Sequence, residues 1–429
     1  MTLVFIVLFG LMLLGVPVCF AILSAGIAYL AETGGSMMVV AQRLVYGLNS
    51  FTLLAVPLFI LVGNLMDFGG ISRRLTDWAK SLLGWLPGGL GIVTVFSCAI
   101  FAALTGSGPA TVAAIGSIML PSMAKAGYSR GTSAGLLAAA GALGPIIPPS
   151  IPMIIYGVTM NLSIPAMFAA GIVPGLVIAG VLSGVNIIFA YHNPAVLEYA
   201  KTMKFDGKEC LRLFWKALGA LGLPVLILGG IYGGIFTPTE SAAVGIVYAL
   251  ILGFALKELK VKDLPKILIS SLKTSTMVNI IIAAASLFSW VVSKSQIGSA
   301  ISEAFINIVG GSQAVYLLVL VLVLLVVGCL MDNVAATLIL APILIPVGIT
   351  LGCNELHIGM LFCICLVIGF VTPPFGYNLF TAASVSGLNF KQIVKGSLPF
   401  LLAEILLLFI FAYVPGIITW LPRLMGYSY

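Results

Sequence analysis

The sequence predicts an all-α polytopic membrane protein whose two halves are inverted repeats. Each half holds one re-entrant helical hairpin and one broken transmembrane helix. Three observations predict this. Hydrophobic residues fill 61% of the 429 positions and charged residues only 8%, against about 25% charged in a soluble domain. Apolar stretches of about 20 residues, long enough to span a bilayer, recur from end to end. The chain also repeats its Gly/Pro punctuation: Pro121 and Pro346 lie 225 positions apart, as do Pro148-Pro149 and Pro373-Pro374. Gly/Pro-broken apolar segments at matching places in two halves point to the binding site of a secondary transporter.

Ordinary spans are expected at 3–30, 50–68, 130–160, 166–191, 217–235, 241–256, 277–294, 357–386 and 397–420. The run Thr2–Ala31 lacks the basic start of a signal peptide and is too long for one. It reads as a retained span interrupted near Gly15-Val16-Pro17. In 88–122, Pro109 and Pro121 bracket a helix that would reach only about 17 Å. The hydrocarbon core is about 30 Å thick, so the segment is expected to enter and leave on one side. Its tip falls at 105–109, and the 225 offset puts a second hairpin at 313–347 with its tip at 330–334. The stretches 71–86 and 263–276 read as amphipathic helices at the membrane surface. The expected order is 1–87 scaffold, 88–160 first transport half, 161–312 scaffold and linkers, 313–386 second transport half, and 387–429 a final span.

Charge sets the orientation. With loop 69–87 in the cytoplasm and spans alternating, only Arg43, Lys294 and Arg423 of the 20 Lys and Arg fall outside. The positive-inside rule then places the N-terminus in the cytoplasm and the C-terminus in the periplasm of an inner-membrane protein. Hairpin one enters from the cytoplasmic face and hairpin two from the periplasmic face, which makes the repeats inverted. The net charge of +7 is explained by these loops, and no groove-reading or stacking motif for nucleic acid accompanies it. The seven cysteines are scattered, and Cys363-Ile364-Cys365 lacks the second ligand pair of a zinc site. His192 and His357 are far apart in sequence, so neither a transition-metal cluster nor a catalytic histidine site is expected.

Broken helices survive in hydrocarbon only where protein or a polar cavity receives the freed backbone groups. At Gly144–Pro149 and Gly369–Pro374, proline removes an N–H and leaves carbonyls free. Carbonyls with Ser and Thr hydroxyls are the hard, weakly charged ligands that Na⁺ requires. The sodium candidates are Ser107, Gly108, Thr111, Gly144, Ile147, Asp332, Asn333, Gly369 and Thr372, with Thr337 beside them. Thr105, Ser150, Tyr156, Tyr377 and Asn378 are the candidates for lining a substrate cavity. Helix N-termini after each tip would offer N–H groups to a carboxylate. Asp332 stands out because a carboxylate at membrane depth is expensive; ion coordination and capping of the following helix are both open to it. Glu240, in Thr237-Pro238-Thr239-Glu240, reads as a cap, and Glu404 as a pairing or partner-facing residue.

Four phrases in order resemble one family: Gly106-Ser107-Gly108-Pro109-Ala110-Thr111, Gly144-Pro145-Ile146-Ile147-Pro148-Pro149-Ser150, Phe236-Thr237-Pro238-Thr239-Glu240-Ser241, and Val371-Thr372-Pro373-Pro374-Phe375-Gly376. The chain resembles, over essentially its whole length, the large membrane subunit of tripartite ATP-independent periplasmic (TRAP) transporters. The resemblance implies an elevator mechanism, Na⁺ coupling, a periplasmic substrate-binding protein and a small four-span membrane subunit. Because the chain opens directly on large-subunit sequence, the small subunit is expected as a separate polypeptide. Sodium sites are implied at each hairpin with its break, and the cargo is expected to be an organic acid, sialic acid ahead of a C4-dicarboxylate. A stand-alone carboxylate carrier of related fold would share the hairpins without needing a binding protein. An intramembrane enzyme would need Arg, His or Glu clustered at one depth, and the basic residues here lie in loops.

Overall fold

The computed structural model describes residues 2–295 and 310–427, so part of the expected 161–312 stretch lies outside the described residues. All regular elements described are helical. The first half contains α1 Thr2–Leu13, α2 Val18–Thr33, α3 Met38–Leu48, α4 Ala55–Phe68, α5 Ile71–Leu83, α6 Gly89–Thr105, α7 Gly108–Lys125, α8 Arg130–Gly141, α9 Ile151–Met160 and α10 Ile164–Tyr191. Then come α11 Pro194–Thr202, α12 Gly207–Tyr232, α13 Pro238–Ala255 and α14 Leu264–Lys294. The second half continues with α15 Gln313–Leu330, α16 Asn333–Thr350, α17 Glu355–Gly369, α18 Tyr377–Ser386, α19 Phe390–Tyr413 and α20 Gly416–Leu424.

Several expected boundaries change. The span 3–30 is two helices, α1 and α2, packed on each other. Gly15 adopts φ 80°, and Pro17 has no N–H to continue a helix. The stretches 263–276 and 277–294 are one 31-residue helix, α14, rather than a surface helix and a span. Helix α12 starts at Gly207, well before 217, because the Asp206 carboxylate caps it through Lys208 N and Glu209 N. The last span ends at Tyr413, where Val414-Pro415 separates it from α20. Pro121, Pro342 and Pro346 lie inside α7 and α16 instead of ending them. Each of these helices is therefore 18 residues long, about 27 Å. The hairpins arise at their tips, not from short arms.

Both breaks are present, at residues 142–150 between α8 and α9 and at 370–376 between α17 and α18, each with a cis Pro-Pro bond. The helices after the breaks cross over. Helix α9 packs on α16 and α17, and α18 packs on α7 and α8. Tyr156 in α9 lies against Gly359 and stacks near Phe362, with ring centroids 5.7 Å apart. Asn378 in α18 donates from Nδ2 to Ala138 O at 3.1 Å. Each half thus completes the other.

Helices α10 and α19 begin at equivalent positions of the repeat and pack against the hairpins and breaks. Asn186 of α10 donates to Gly88 O at 2.9 Å, and Gly175 sits on Ile147 of break one. In α19, Gly396 meets Gly135 of α8 with no room for a Cβ at either. The expectation counted 161–312 as scaffold and linkers and 387–429 as a final span; in the structure α10 and α19 pack on the hairpins and breaks. Glycines and small residues let these backbones approach closely.

A second group of helices, α1–α5 with α12–α14, stands beside this body. Helix α5 is amphipathic and bridges the two. Trp78 lies between Phe96 of α6 and Phe214 of α12, at centroid distances of 5.9 and 5.6 Å. Lys80 Nζ donates to Ser122 Oγ at 3.1 Å, and Arg74 pairs with Glu258 at 2.8 Å. Burial lowers the Lys80 pKa, with Asp77 opposing the shift.

Candidate functional site

Tip one is built around two glycines. Gly106 ends α6 at φ 59°, and a Cβ there would come 2.7 Å from Pro149 O. Gly144 of break one lies against Ser107 O, 2.6 Å from where its Cβ would be. The backbones of tip one and break one therefore interlock only because both positions lack a Cβ. The two threonine hydroxyls of the tip are paired. Thr111 Oγ1 donates to Ser107 O at 2.8 Å, Thr105 and Thr111 hydroxyls are 3.3 Å apart, and Ser107 N donates to Thr105 Oγ1 at 3.4 Å.

Tip two is different. Asp332 caps α16, its Oδ1 accepting from Val334 N at 2.8 Å. Asn333 is buried, yet neither its Oδ1 nor its Nδ2 has a hydrogen-bond partner among the described residues. The Thr337 hydroxyl one turn on is fully buried and equally unpartnered. Buried polar atoms left unmade cost about 1–3 kcal/mol each, so such a cluster calls for a ligand that supplies the missing contacts. Behind it, Gly369 abuts Gly328, and Thr372 Oγ1 bonds back to Ile368 O at 3.1 Å.

The two tips meet. A cavity of about 150 Å³ lies between them, lined by Ser107, Gly108, Pro145, Asp332, Asn333 and Tyr377, with Ile60 and Thr274 from α4 and α14. A second cavity of about 490 Å³ shares Ile60, Ser107, Pro109, Ile151 and Thr274 with it. It runs along α4, α6 and α14 to Asn64, Asp67 and Ser270, on the lysine-rich side.

Of the expected site residues, Ser107, Gly108, Asp332, Asn333 and Tyr377 border the inner cavity, and Thr105 borders the outer one. Thr111, Gly144, Gly369 and Thr372 support the tips from behind. Three expected cavity residues are elsewhere. Tyr156 is buried against α17, because Gly359 and Phe362 form its socket. Ser150 is buried and closes break one, donating to Pro145 O at 2.5 Å and capping α9. Asn378 lies under tip one, its Oδ1 2.7 Å from where a Gly108 Cβ would be. Ile147 packs on α10. Sequence reasoning missed the contribution of α4 and α14. The available signal was Ser270 and Thr274, one turn apart in an apolar helix.

Other polar groups resolve simply. Glu240 forms a capping box with Thr237, accepting from Thr237 N at 2.8 Å. Glu404 neither pairs nor faces outward. It is fully buried in α19, and its oxygens have no hydrogen-bond partner among the described residues. His357 Nε2 lies 2.8 Å from Phe411 O, and His192 is exposed. Among the described residues no three His, Cys, Asp or Glu gather as a metal group.

A family model described as the DctM component of tripartite ATP-independent periplasmic transporters matches residues 5–417. The chain belongs to this family. It is 38% identical to the C4-dicarboxylate TRAP transporter large permease protein DctM of Vibrio cholerae, covering 99% of this chain and 97% of that one. It is 35% identical to the sialic acid TRAP transporter large permease protein SiaM of the same species, over 98% of both chains. The isethionate TRAP transporter permease protein DctMQ of Oleidesulfovibrio alaskensis is 39% identical over 96% of this chain, which spans 65% of that longer protein. In fold, the chain matches the structure of Neisseria gonorrhoeae MtrF with a TM-score of 0.59 at 17% identity, covering 90% of this chain and 86% of that one. The DctM-family chain is thus the large permease subunit of a TRAP transporter and a multi-pass membrane protein, a transporter component rather than an enzyme. Membership implies a periplasmic binding protein and a small membrane subunit as partners.

Proposed function

We propose that this subunit carries an organic acid across the bacterial inner membrane by Na⁺ symport, receiving it from the periplasmic binding protein. The convergence of both tips and both breaks on one small cavity supports the reading. Asn333 and Thr337 offer oxygens with no other partner among the described residues, and Asp332, beside Asn333 in the cavity lining, supplies a carboxylate. The sialic-acid expectation gains no support over others, since relatives at 35–39% identity carry C4-dicarboxylate, sialic acid, diketogulonate and isethionate names. The lysine-rich face is taken as cytoplasmic. The stand-alone carrier is the reading to be displaced.

The test is uptake of succinate, N-acetylneuraminate and isethionate into proteoliposomes holding both membrane subunits, with the binding protein outside. One of these acids should enter only with an inward Na⁺ gradient. Undiminished entry with K⁺ or choline under a proton gradient alone, or without the binding protein, would refute the reading. The proposed motion is an elevator in which α6–α10 and α15–α19 travel as one body past α1–α4 and α12–α14. A disulfide between Gly63→Cys in α4 and Thr105→Cys in α6, whose backbones nearly touch, should stop uptake, and reduction should restore it. Full activity while crosslinked would leave local gating as the mechanism.

A further inference from the structure

A third cavity, of about 420 Å³, shares no residue with the two at the tips. Asp77 and Ser81 of α5, with Trp85 just beyond it, form one wall; Lys204 and Leu213, before and within α12, form the other. The walls touch at one end, where the Met203 methyl lies 3.0 Å from where a Gly84 Cβ would be. Most of the charge here is already committed. Asp206 caps α12, Glu209 pairs with Arg212 at 2.6 Å, and Lys80 Nζ donates to Ser122 Oγ at 3.1 Å. Two opposite charges are left. Asp77, near Lys80 on the same helix, and Lys204 make no hydrogen bond or ion pair among the described residues. Ser81 Oγ donates to Trp78 O at 2.7 Å, which leaves its oxygen free to accept one turn from Asp77. The Trp85 indole N–H is spent on Leu82 O at 2.9 Å. Its ring lies beside that of Phe205, centroids 6.1 Å apart, and both residues are exposed.

We propose that this cavity binds the headgroup of an ethanolamine phospholipid, with the ammonium at Asp77 and Ser81 and the phosphate at Lys204. Each part of the lining answers a part of such a lipid. An ammonium carries only donors, and Asp77 with Ser81 offers acceptors. Lys204 supplies the compact positive charge for a phosphate. A headgroup with no cation would leave Asp77, Asp206 and Glu209 to repel it. Exposed Trp and Phe rings settle at headgroup depth, which suits a lipid and gives a small soluble zwitterion no advantage. The amphipathic α5 and the five Lys and Arg of 201–216 put the cavity at that same depth. Bound there, the lipid joins α12 to α5, the helix that bridges the two groups of helices.

The test is binding, with neither cargo nor Na⁺ present. The chain is purified with the small subunit, delipidated, and titrated with phosphatidylethanolamine, phosphatidylcholine or phosphatidylglycerol of identical acyl chains. Native mass spectrometry counts the bound lipid. Choline keeps the positive charge but has no N–H, and the glycerol headgroup has no cation. One site should take phosphatidylethanolamine about 10-fold more tightly than either of the others, the worth of a charge-assisted hydrogen bond. Asp77→Asn should bring the ethanolamine-to-choline ratio close to one. Lys204→Ala, at an exposed position, should weaken both lipids and leave the ratio standing. Equal affinity of the unsubstituted protein for all three lipids would overturn the site without need of any variant. Preference for phosphatidylglycerol would reveal a merely basic surface and overturn it as well. An ethanolamine preference that survives Asp77→Asn would remove the ammonium from this cavity and the proposal with it.

Discussion

Tip one and tip two occupy equivalent places in the repeat, but their polar groups are in opposite condition. At tip one the Thr105 and Thr111 hydroxyls bond to each other and to the backbone, Ser107 included, and no charge is present. At tip two a carboxylate caps the helix while Asn333 and Thr337 stay buried without partners. A network satisfied internally is rigid before any ligand arrives. One left incomplete gains its missing contacts only on binding. The difference teaches that the repeat conserves backbone shape while letting the two halves divide the work. Tip one is a preformed wall, and tip two is the element whose stability should depend on the proposed Na⁺.

The strongest way to break this comparison is Asp332→Ala. Loss of a charge-assisted contact at membrane depth should reduce uptake about 100-fold, with the small subunit still copurifying. Wild-type uptake with unchanged Na⁺ dependence would reduce Asp332 to a helix cap and make the two tips equivalent.

A sharper test uses sign. Thr337→Val replaces an unpartnered buried hydroxyl with a methyl, so the Na⁺-free protein should become more stable, by roughly 1 kcal/mol. Its half-saturating Na⁺ concentration should rise about 10-fold. Thr111→Val removes made hydrogen bonds and should instead destabilise by about 1–2 kcal/mol with or without Na⁺. Thermal unfolding in nanodiscs at zero and saturating Na⁺ reads all four values. Two destabilisations of equal size would erase the distinction.

A last test concerns how tip one is held, and its telling quantity is the small coupling between two substitutions. Gly108→Ala puts a methyl 2.7 Å from Asn378 Oδ1, and the shift should cost about 1–3 kcal/mol. Asn378→Ala should relieve part of that cost, so the double variant falls short of the sum of the singles. Strict additivity would show that α18 does not press on the tip.

Much of this was legible in the sequence. The offset of 225 located both tips and both breaks because proline and glycine act locally, through a missing N–H and a missing Cβ. Asp332 was legible because charge at membrane depth is rare. Helix ends were less so: Pro121 and Pro346 sit within α7 and α16, where neighbouring groups accommodate the freed carbonyls. Tyr156 and Asn378 were misplaced for a different reason. Their surroundings come from the opposite half, and no local pattern announces which distant helix a side chain will meet. The same holds for α10 and α14, whose roles depend on what packs beside them.

The exchange of α9 and α18 between halves also sets a timetable for biogenesis. Helices α7 and α8 are made early, but their partner α18 ends at Ser386. At about 5–20 residues per second of synthesis, the wait is on the order of ten to fifty seconds. Through that interval the groove that receives Asn378, flanked by Gly108 and Gly141, has only lipid, water or a chaperone to shelter it. Neither half finishes its own interior, so the cavity between the tips first exists only after α18 has been made.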